Sequence, residues 1–436
     1  MKAIIFDLDY TIADTNECEL YLRNKKGRSE ICNLIHQSKV NVSLVDVGFP
    51  AYINELNNNP DIDLYVFSDS PVEYCLTVLR YLGVDIDEKN VFGNQRKPCV
   101  DFPAFFSEYE ATLVVGDSPK DIYFAHKNNS PSIYFTPKTK FNIDFVNNNS
   151  FPTFTATSFD NLKFGVNKFL EGSLLFKFYD FKSNFITVDH ETIPVVEIDS
   201  NDIGYAKEYN PDYNNFRHQE DFFVMHSIHR VIKPAKNLTP AQLNRNESLS
   251  FMNSDQTIKI AQSLKSQAGH LKFEFMKWAK QINLTGDVYL VPIPGSSPYE
   301  CHLSFPMLHI VQWWVEWINK EKNLPYILHE GLVIERFWPS VSAHLQGGPR
   351  EVRPHLKTMG IFSDSISFAP NATVVILDDV VTSGSQMSAV ATLLSQSGFL
   401  HINTKIYGFA LAKTIRVEKT WAQVEQLVHQ ADNLEH

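Results

Sequence analysis

Two groups of residues have types and spacing suited to chemistry on phosphorylated ligands. The first is dispersed. Asp7 ends the apolar run Ala3-Ile4-Ile5-Phe6, and Asp9 follows two residues later in Phe6-Asp7-Leu8-Asp9-Tyr10-Thr11. Both can reach a substrate at the C-terminal edge of a sheet. Ser68 ends a second apolar run, Val66-Phe67-Ser68, Lys97 precedes Pro98, and Asp117 and Asp121 lie in Gly116-Asp117-Ser118-Pro119-Lys120-Asp121. A phosphoryl centre is shielded by its own negative oxygens. A magnesium ion held by carboxylates neutralises them, and a lysine adds a point charge. The second group is contiguous, Val374-Val375-Ile376-Leu377-Asp378-Asp379-Val380-Val381-Thr382-Ser383-Gly384-Ser385. Four apolar residues predict a buried strand with two carboxylates at its end. A small hydroxyl-rich turn then enters a helix over Met387 to Leu394. The N–H groups of such a turn and helix N-terminus can hold phosphate, and paired carboxylates can hold a diol.

Stable elements must stand behind these residues. A chain of 436 residues exceeds one ordinary core, so two domains and a connector are expected. Residues 1–172 alternate short apolar strands (Ala3–Asp7, Leu64–Ser68, Leu113–Gly116, Ser132–Phe135) with helical segments, which predicts a parallel sheet covered by helices. Residues 173–254 read as a linking or hood module, with an antiparallel meander over Leu174–Phe181, Ile186–Val188 and Pro194–Ile198. Residues 255–436 return to α/β alternation: a helix over Thr257–Ile282, a strand over Val288–Val291, a helix over Phe305–Asn319, and a terminal helix over Val417–His429. The fold class is α/β, with two Rossmann-like parallel-sheet domains joined by a small β-containing module.

Composition narrows the classes further. The five cysteines are scattered, without a C-x-x-C pair, as expected of reduced thiols in a cytoplasm and not of a zinc site. No apolar run reaches the length of a membrane span, and a net charge of −11 argues against a large nucleic-acid surface. Trp313, Trp314 and Trp317 read as core or interface packing, and His226 and His229 as a polar helix face.

Taken together, Asp7, Asp9, Ser68, Lys97, Asp117 and Asp121 resemble the four motifs of the haloacid dehalogenase (HAD) superfamily of phosphatases, in the family's order. The resemblance spans about residues 1–172. It implies that Asp7 is a nucleophile forming an aspartyl-phosphate and that Asp9 protonates the leaving oxygen and later activates water. It implies that Ser68 and Lys97 hold the transferring phosphoryl group. Asp7, the backbone carbonyl of Asp9, Asp117 and Asp121 would form a Mg2+ site. The segment Ile12 to Pro60, where the family places a cap, has room for one or two helices, so the second domain is expected to supply the lid.

The Asp378–Asp379 segment resembles the phosphoribosyl-diphosphate (PRPP) motif of type I phosphoribosyltransferases, and residues 255–436 are nearest to the ComF-like branch. Two further pieces carry the resemblance. Leu290-Val291-Pro292-Ile293-Pro294-Gly295-Ser296-Ser297 is a strand entering a tight turn, and Gln346-Gly347-Gly348-Pro349-Arg350-Glu351-Val352-Arg353-Pro354-His355 matches a basic loop that closes over pyrophosphate. The resemblance implies pyrophosphate contacts from Pro294, Gly295, Ser296, Arg350 and Arg353. Asp378 and Asp379 would hold the ribose hydroxyls, and Thr382, Ser383, Gly384, Ser385 and Gln386 the 5′-phosphate. Two departures stand out: Gln386 replaces the usual small hydroxyl residue, and Thr382 stands where the 6-oxopurine branch carries an Asp.

The expected function is a bifunctional enzyme of nucleotide metabolism, taking PRPP or a nucleotide and a base-like acceptor, and hydrolysing a phosphomonoester. The alternatives are a regulated effector of a bacterial stress or antiviral system, for example retron-associated, and a PRPP or nucleotide sensor. A homo-oligomer or a protein partner is compatible with each.

Overall fold

The computed structural model describes residues 1–22, 25–98, 102–209, 228, 231–245, 250–253, 256–259, 263–340, 351–365 and 367–415. The first sheet contains β1 (Lys2–Phe6), β2 (Ile62–Phe67), β3 (Val91–Phe92), β4 (Ala111–Gly116), β5 (Ser132–Phe135) and β6 (Phe154–Ala156), in the order β3-β2-β1-β4-β5-β6. Every pairing is parallel. Ala3, Ile4, Ile5 and Phe6 are all buried, because helices cover both faces and leave no polar alternation along the strand. The chain steps from β1 to β2 on one side and later returns to place β4 on the other. That reversal opens a crevice at the C-terminal ends of β1 and β4, where Asp7 and Asp117 begin the following loops.

The segment after β1 differs from expectation. It holds three helices, Glu19–Leu22, Lys25–His36 and Phe49–Asn57. Phe49, Tyr52, Ile53 and Leu56 of the last are buried in the domain core, so that helix covers the sheet.

The second half contributes β7 (Phe185–Ile186), β8 (Ile203–Tyr209), β9 (Gly286–Pro292), β10 (Tyr326–Glu330), β11 (Ile334–Arg336), β12 (Met359–Phe362), β13 (Thr373–Val381) and β14 (Lys405–Thr414). Five of them form a second all-parallel sheet, β8-β14-β13-β9-β10. Its strand order reverses at β9, whose neighbours are β10 and β13, so a second crevice lies at the ends of β9 and β13. β11, β12 and β7 form a small antiparallel sheet.

Three expectations change. The meander over Leu174–Ile198 is absent: among these residues only Phe185–Ile186 is a strand, and it pairs with β12. Aromatic residues of Leu174–Phe181 pack against both halves instead. Phe181 meets Tyr123 at 5.0 Å and Trp338 at 5.5 Å between ring centroids, and Tyr179 stacks on Phe151 at 4.5 Å. β8, assigned to the linking module by sequence, lies at the edge of the second sheet. The helix expected from Thr257 begins at Leu264, after the hairpin Ser250–Asn253/Gln256–Lys259, and Ser263 caps it by accepting from the Ser266 N–H. The proposed terminal helix and His226 and His229 lie outside the described residues. Trp313 and Trp314 are core residues, and the Trp314 indole donates to the Ala268 carbonyl at 2.8 Å. No helix among the described residues is long and apolar enough to cross a membrane.

Candidate active site

Oxygens of Asp7, Asp117 and Asp121 lie within 4.8 Å of one another at the first crevice. Asp7 and Asp117 leave adjacent strand ends. Asp121 arrives from the first turn of α1 (Pro119–Lys127), where its Oδ2 accepts from the Ser118 hydroxyl at 2.7 Å and the Ser118 N–H at 3.2 Å. Gly116 makes this approach possible: a Cβ there would sit 2.2 Å from the Asp121 carboxyl carbon.

Lys97 completes the arrangement. Its ammonium donates to Asp7 Oδ1 at 2.7 Å and to Asp121 Oδ1. Burial opposes the lysine's charge, but Asp121 and Asp7 outweigh burial and push its pKa up. Burial holds the Asp7 carboxyl well above the usual carboxylate range, with Lys97 opposing; burial, Asp7 and Asp121 do the same to Asp117. Three buried carboxylates against one buried ammonium leave a deficit of positive charge among hard oxygen donors. That donor set fits a magnesium ion.

Asp9 plays a different part. Its carboxylate is outside the three-carboxylate group and accepts from four hydroxyls: Thr15 at 2.7 Å, Ser70 at 2.8 Å, Tyr74 at 2.9 Å and Ser68 at 3.4 Å. Thr15, Ser70 and Tyr74 were not legible as site residues, since no spacing rule links them to Asp9. Asp69 and Lys120 were also missed. Asp69 accepts from the Lys97 N–H at 2.8 Å and from the Lys120 ammonium at 3.0 Å. Burial alone would raise its pKa, but Lys120 and Lys97 outweigh it and lower it. The polar run Ser68-Asp69-Ser70 directly after an apolar strand was the available signal.

A cavity of about 400 Å³ opens over this group, lined by Asp7, Asp9, Ser68, Lys97 and Lys120 on the first half and by Asn237, Cys301, His302 and Leu303 on the second. The second half therefore walls the crevice. Its wall is stapled together: the N–H groups of Leu303 and Ser304 donate to the Lys236 carbonyl at 3.0 and 3.2 Å, and the Ser304 hydroxyl donates to the Ala235 carbonyl at 3.0 Å. Tyr123 of the first half donates to the buried Glu300 carboxylate beside it.

The second crevice gathers the other sequence candidates in part. β9 and β13 run in register with Pro292 beside Leu377, and the Ile293 N–H donates to the Leu377 carbonyl at 2.9 Å. The turn holding Pro294, Gly295 and Ser296 thus leaves the same sheet edge as Asp378 and Asp379. Gly295 is exposed, and its carbonyl accepts from Arg336 Nε at 2.6 Å. The strand runs further than expected, to Val381. Burial, then Asp379, raises the Asp378 pKa to about 8, and Lys233 Nζ stands 3.8 Å from Asp379 Oδ2. Thr382 and Ser383 are exposed, Gly384 has φ +75° and Ser385–Gln396 is helical, with Gln386 half-buried in its first turn. Of the two arginines of the expected basic loop, only Arg353 is among the described residues. Arg350 lies outside the described residues. Arg353 opens a short helix, Arg353–Leu356, and its guanidinium clasps the carbonyls of His190 (2.7 Å) and Glu191.

No protein-family model matches this sequence, and no curated protein does. Solved structures similar to part of it include a conserved haloacid dehalogenase-like protein of unknown function from Agrobacterium tumefaciens, at 12% identity over 38% of this chain and 98% of that one (TM-score 0.28). A hydrolase from Pseudomonas syringae is 13% identical over 38% of this chain and 99% of that one (TM-score 0.31). A HAD family hydrolase from Deinococcus radiodurans, with bound phosphate and sodium, is 12% identical over 40% of this chain and 96% of that one (TM-score 0.29).

Proposed function

We propose that residues 1–172 form a magnesium-dependent phosphomonoester phosphatase of the HAD type. The observation that carries this reading is the meeting of Asp7, Asp117 and Asp121 within 4.8 Å around the buried Lys97 ammonium. Asp7 is the nucleophile: one carboxylate oxygen bonds to phosphorus, and the ester oxygen leaves with its carbon skeleton. Lys97, already between Asp7 and Asp121, holds charge where the phosphoryl oxygens sit. Asp9, protonated from solvent, turns toward the leaving oxygen and gives it that proton, exchanging its Ser68 and Ser70 hydrogen bonds for it; Thr15 and Tyr74 hold its other oxygen. After the alcohol leaves, Asp9 receives a proton from water, and that water's oxygen attacks phosphorus, breaking its bond to Asp7, so that phosphate is released and the Asp7 carboxylate is regenerated. Asp7, Asp117 and Asp121 would hold magnesium, which supplies neutralisation of the phosphoryl oxygens when bound. The test is phosphate release from a panel of phosphomonoesters with magnesium, for the full chain and its Asp7→Asn and Asp117→Ala variants. Release by the unaltered chain, lost in both variants and on chelation, is expected; equal release from Asp7→Asn rejects the assignment.

For residues 255–436 we propose PRPP-dependent phosphoribosyl transfer. Its support is the juxtaposition of the 293–297 turn with Asp378 and Asp379 at the strand-order reversal. Displacement of pyrophosphate by a base would leave a 5′-phosphomonoester, which the first half could hydrolyse. Pyrophosphate release from PRPP with a panel of bases, abolished by Asp379→Ala, tests it. A sensor would bind PRPP without release. A released effector would arrest bacterial growth on expression, unless Asp379 is replaced.

A further inference from the structure

The wall that the second half places over Asp7 has a chemistry of its own. Asn237 and His302 are its polar members, and Cys301 and Leu303 its apolar ones. The His302 ring makes no hydrogen bond among the described residues, while the His302 backbone N–H donates to the Tyr299 carbonyl at 3.1 Å. The Asn237 amide likewise has no side-chain partner among them. Both are polar groups facing a cavity with their hydrogen-bonding capacity open.

Their setting is firm. Ser304, next in the chain, is fully buried and tied to Ala235, and the Lys236 carbonyl accepts from Leu303 and Ser304. The carboxylates and Lys97 on the cavity's opposite side suit the phosphoryl group. What remains is a space bounded by the His302 imidazole, the Asn237 amide and Leu303 on the second half, and by Tyr10, Glu19, Arg28, Lys140 and Phe141 on the first. The whole cavity, about 400 Å³, falls in the range of small-molecule sites.

We propose that His302 and Asn237 are specificity-determining residues for the phosphatase. They recognise the leaving group of a small phosphomonoester, a hydroxylated body of nucleoside or sugar size. This rests on the phosphatase reading of Asp7 and adds which half of the chain selects the substrate. The phosphate stays on the first half, and the hydroxylated portion contacts His302 and Asn237 on the second.

The test is a ratio. Phosphate release by the full chain is measured with a nucleoside 5′-monophosphate, a hexose phosphate, phenyl phosphate and a phosphotyrosine peptide. His302→Ala, His302→Asn and Asn237→Ala are compared with the unaltered chain, and thermal unfolding confirms that each is folded. The unaltered chain prefers the nucleotide or the sugar phosphate over phenyl phosphate. His302→Ala and Asn237→Ala lower kcat/KM for the preferred ester at least about tenfold while changing phenyl phosphate less than about threefold, and His302→Asn recovers part of the loss. Release that depends on Asp7 but keeps the same ratio in every variant overturns the assignment of His302 and Asn237 alone. So does a preference for the peptide. If no ester gives Asp7-dependent release, the phosphatase reading falls, and this proposal with it.

Discussion

Lys97 is the residue on which the candidate site balances. Its ammonium is buried between Asp7 and Asp121, so removing it strands both carboxylates without their cation. Lys97→Ala should lower stability by about 3–5 kcal/mol, the cost of leaving a buried charge unpaired, read from urea unfolding without magnesium. Asp9 invites a different measurement. As the general acid it matters most where the leaving oxygen needs a proton. Asp9→Asn should therefore reduce turnover of alkyl phosphates by about 10²–10⁴-fold and that of p-nitrophenyl phosphate far less, as a leaving-group series would read out. Asp7 and Asp117 were legible in the sequence because each closes an apolar strand, and Asp121 because it follows a Pro at a helix start. Thr15, Ser70 and Tyr74 were not, because a hydroxyl carries no pattern until folding turns it toward Asp9. The partners of Arg353 were not legible: its charge was visible, but the His190 and Glu191 carbonyls, 163 and 162 residues away in the linker, were not.

At the scale of elements, the site depends on how closely β4 and α1 approach. Gly116 ends the strand and Asp121 lies in the first turn of the helix, with no space for a Cβ between them. Gly116→Ala should displace the Asp121 carboxylate and weaken magnesium activation by about 10–100-fold, measured as the metal concentration giving half-maximal phosphate release, while the fold persists. The parallel strands were readable because burial on both faces leaves a continuous apolar run, as in Val374–Leu377 and Ala3–Phe6. The linker was not. Leu174–Phe181 is rich in aromatic residues, but the rings of Phe176, Tyr179 and Phe181 meet His126, Phe151 and Tyr123, and a strand cannot form without an edge to pair with. The same limit hid β8, whose partner β14 lies some 200 residues later.

For the whole molecule, the join between the halves matters most, because it puts His302 and Asn237 over Asp7. Near that join, Glu335 has a carboxyl that burial, then Glu300, raises to about 8. In the unfolded chain the same carboxyl titrates near about 4.3. Between those values the folded chain keeps a proton that the unfolded chain has lost, so stability falls as pH rises through the window. Glu335→Gln should flatten that decline in a series of Tm values from pH 5 to 8. Alternation of strands and helices foretold two sheets, but nothing local could tell which faces meet, since Tyr123 and Glu300 come together only in three dimensions. The central claim is that Asp7 attacks phosphorus. A single turnover of the full chain with magnesium and a phosphomonoester, followed by borohydride reduction and peptide mass mapping, tests it directly. Conversion of Asp7 to homoserine, lost when the ester is omitted, is the predicted result; an unmodified Asp7, or reduction at another carboxylate, would contradict it.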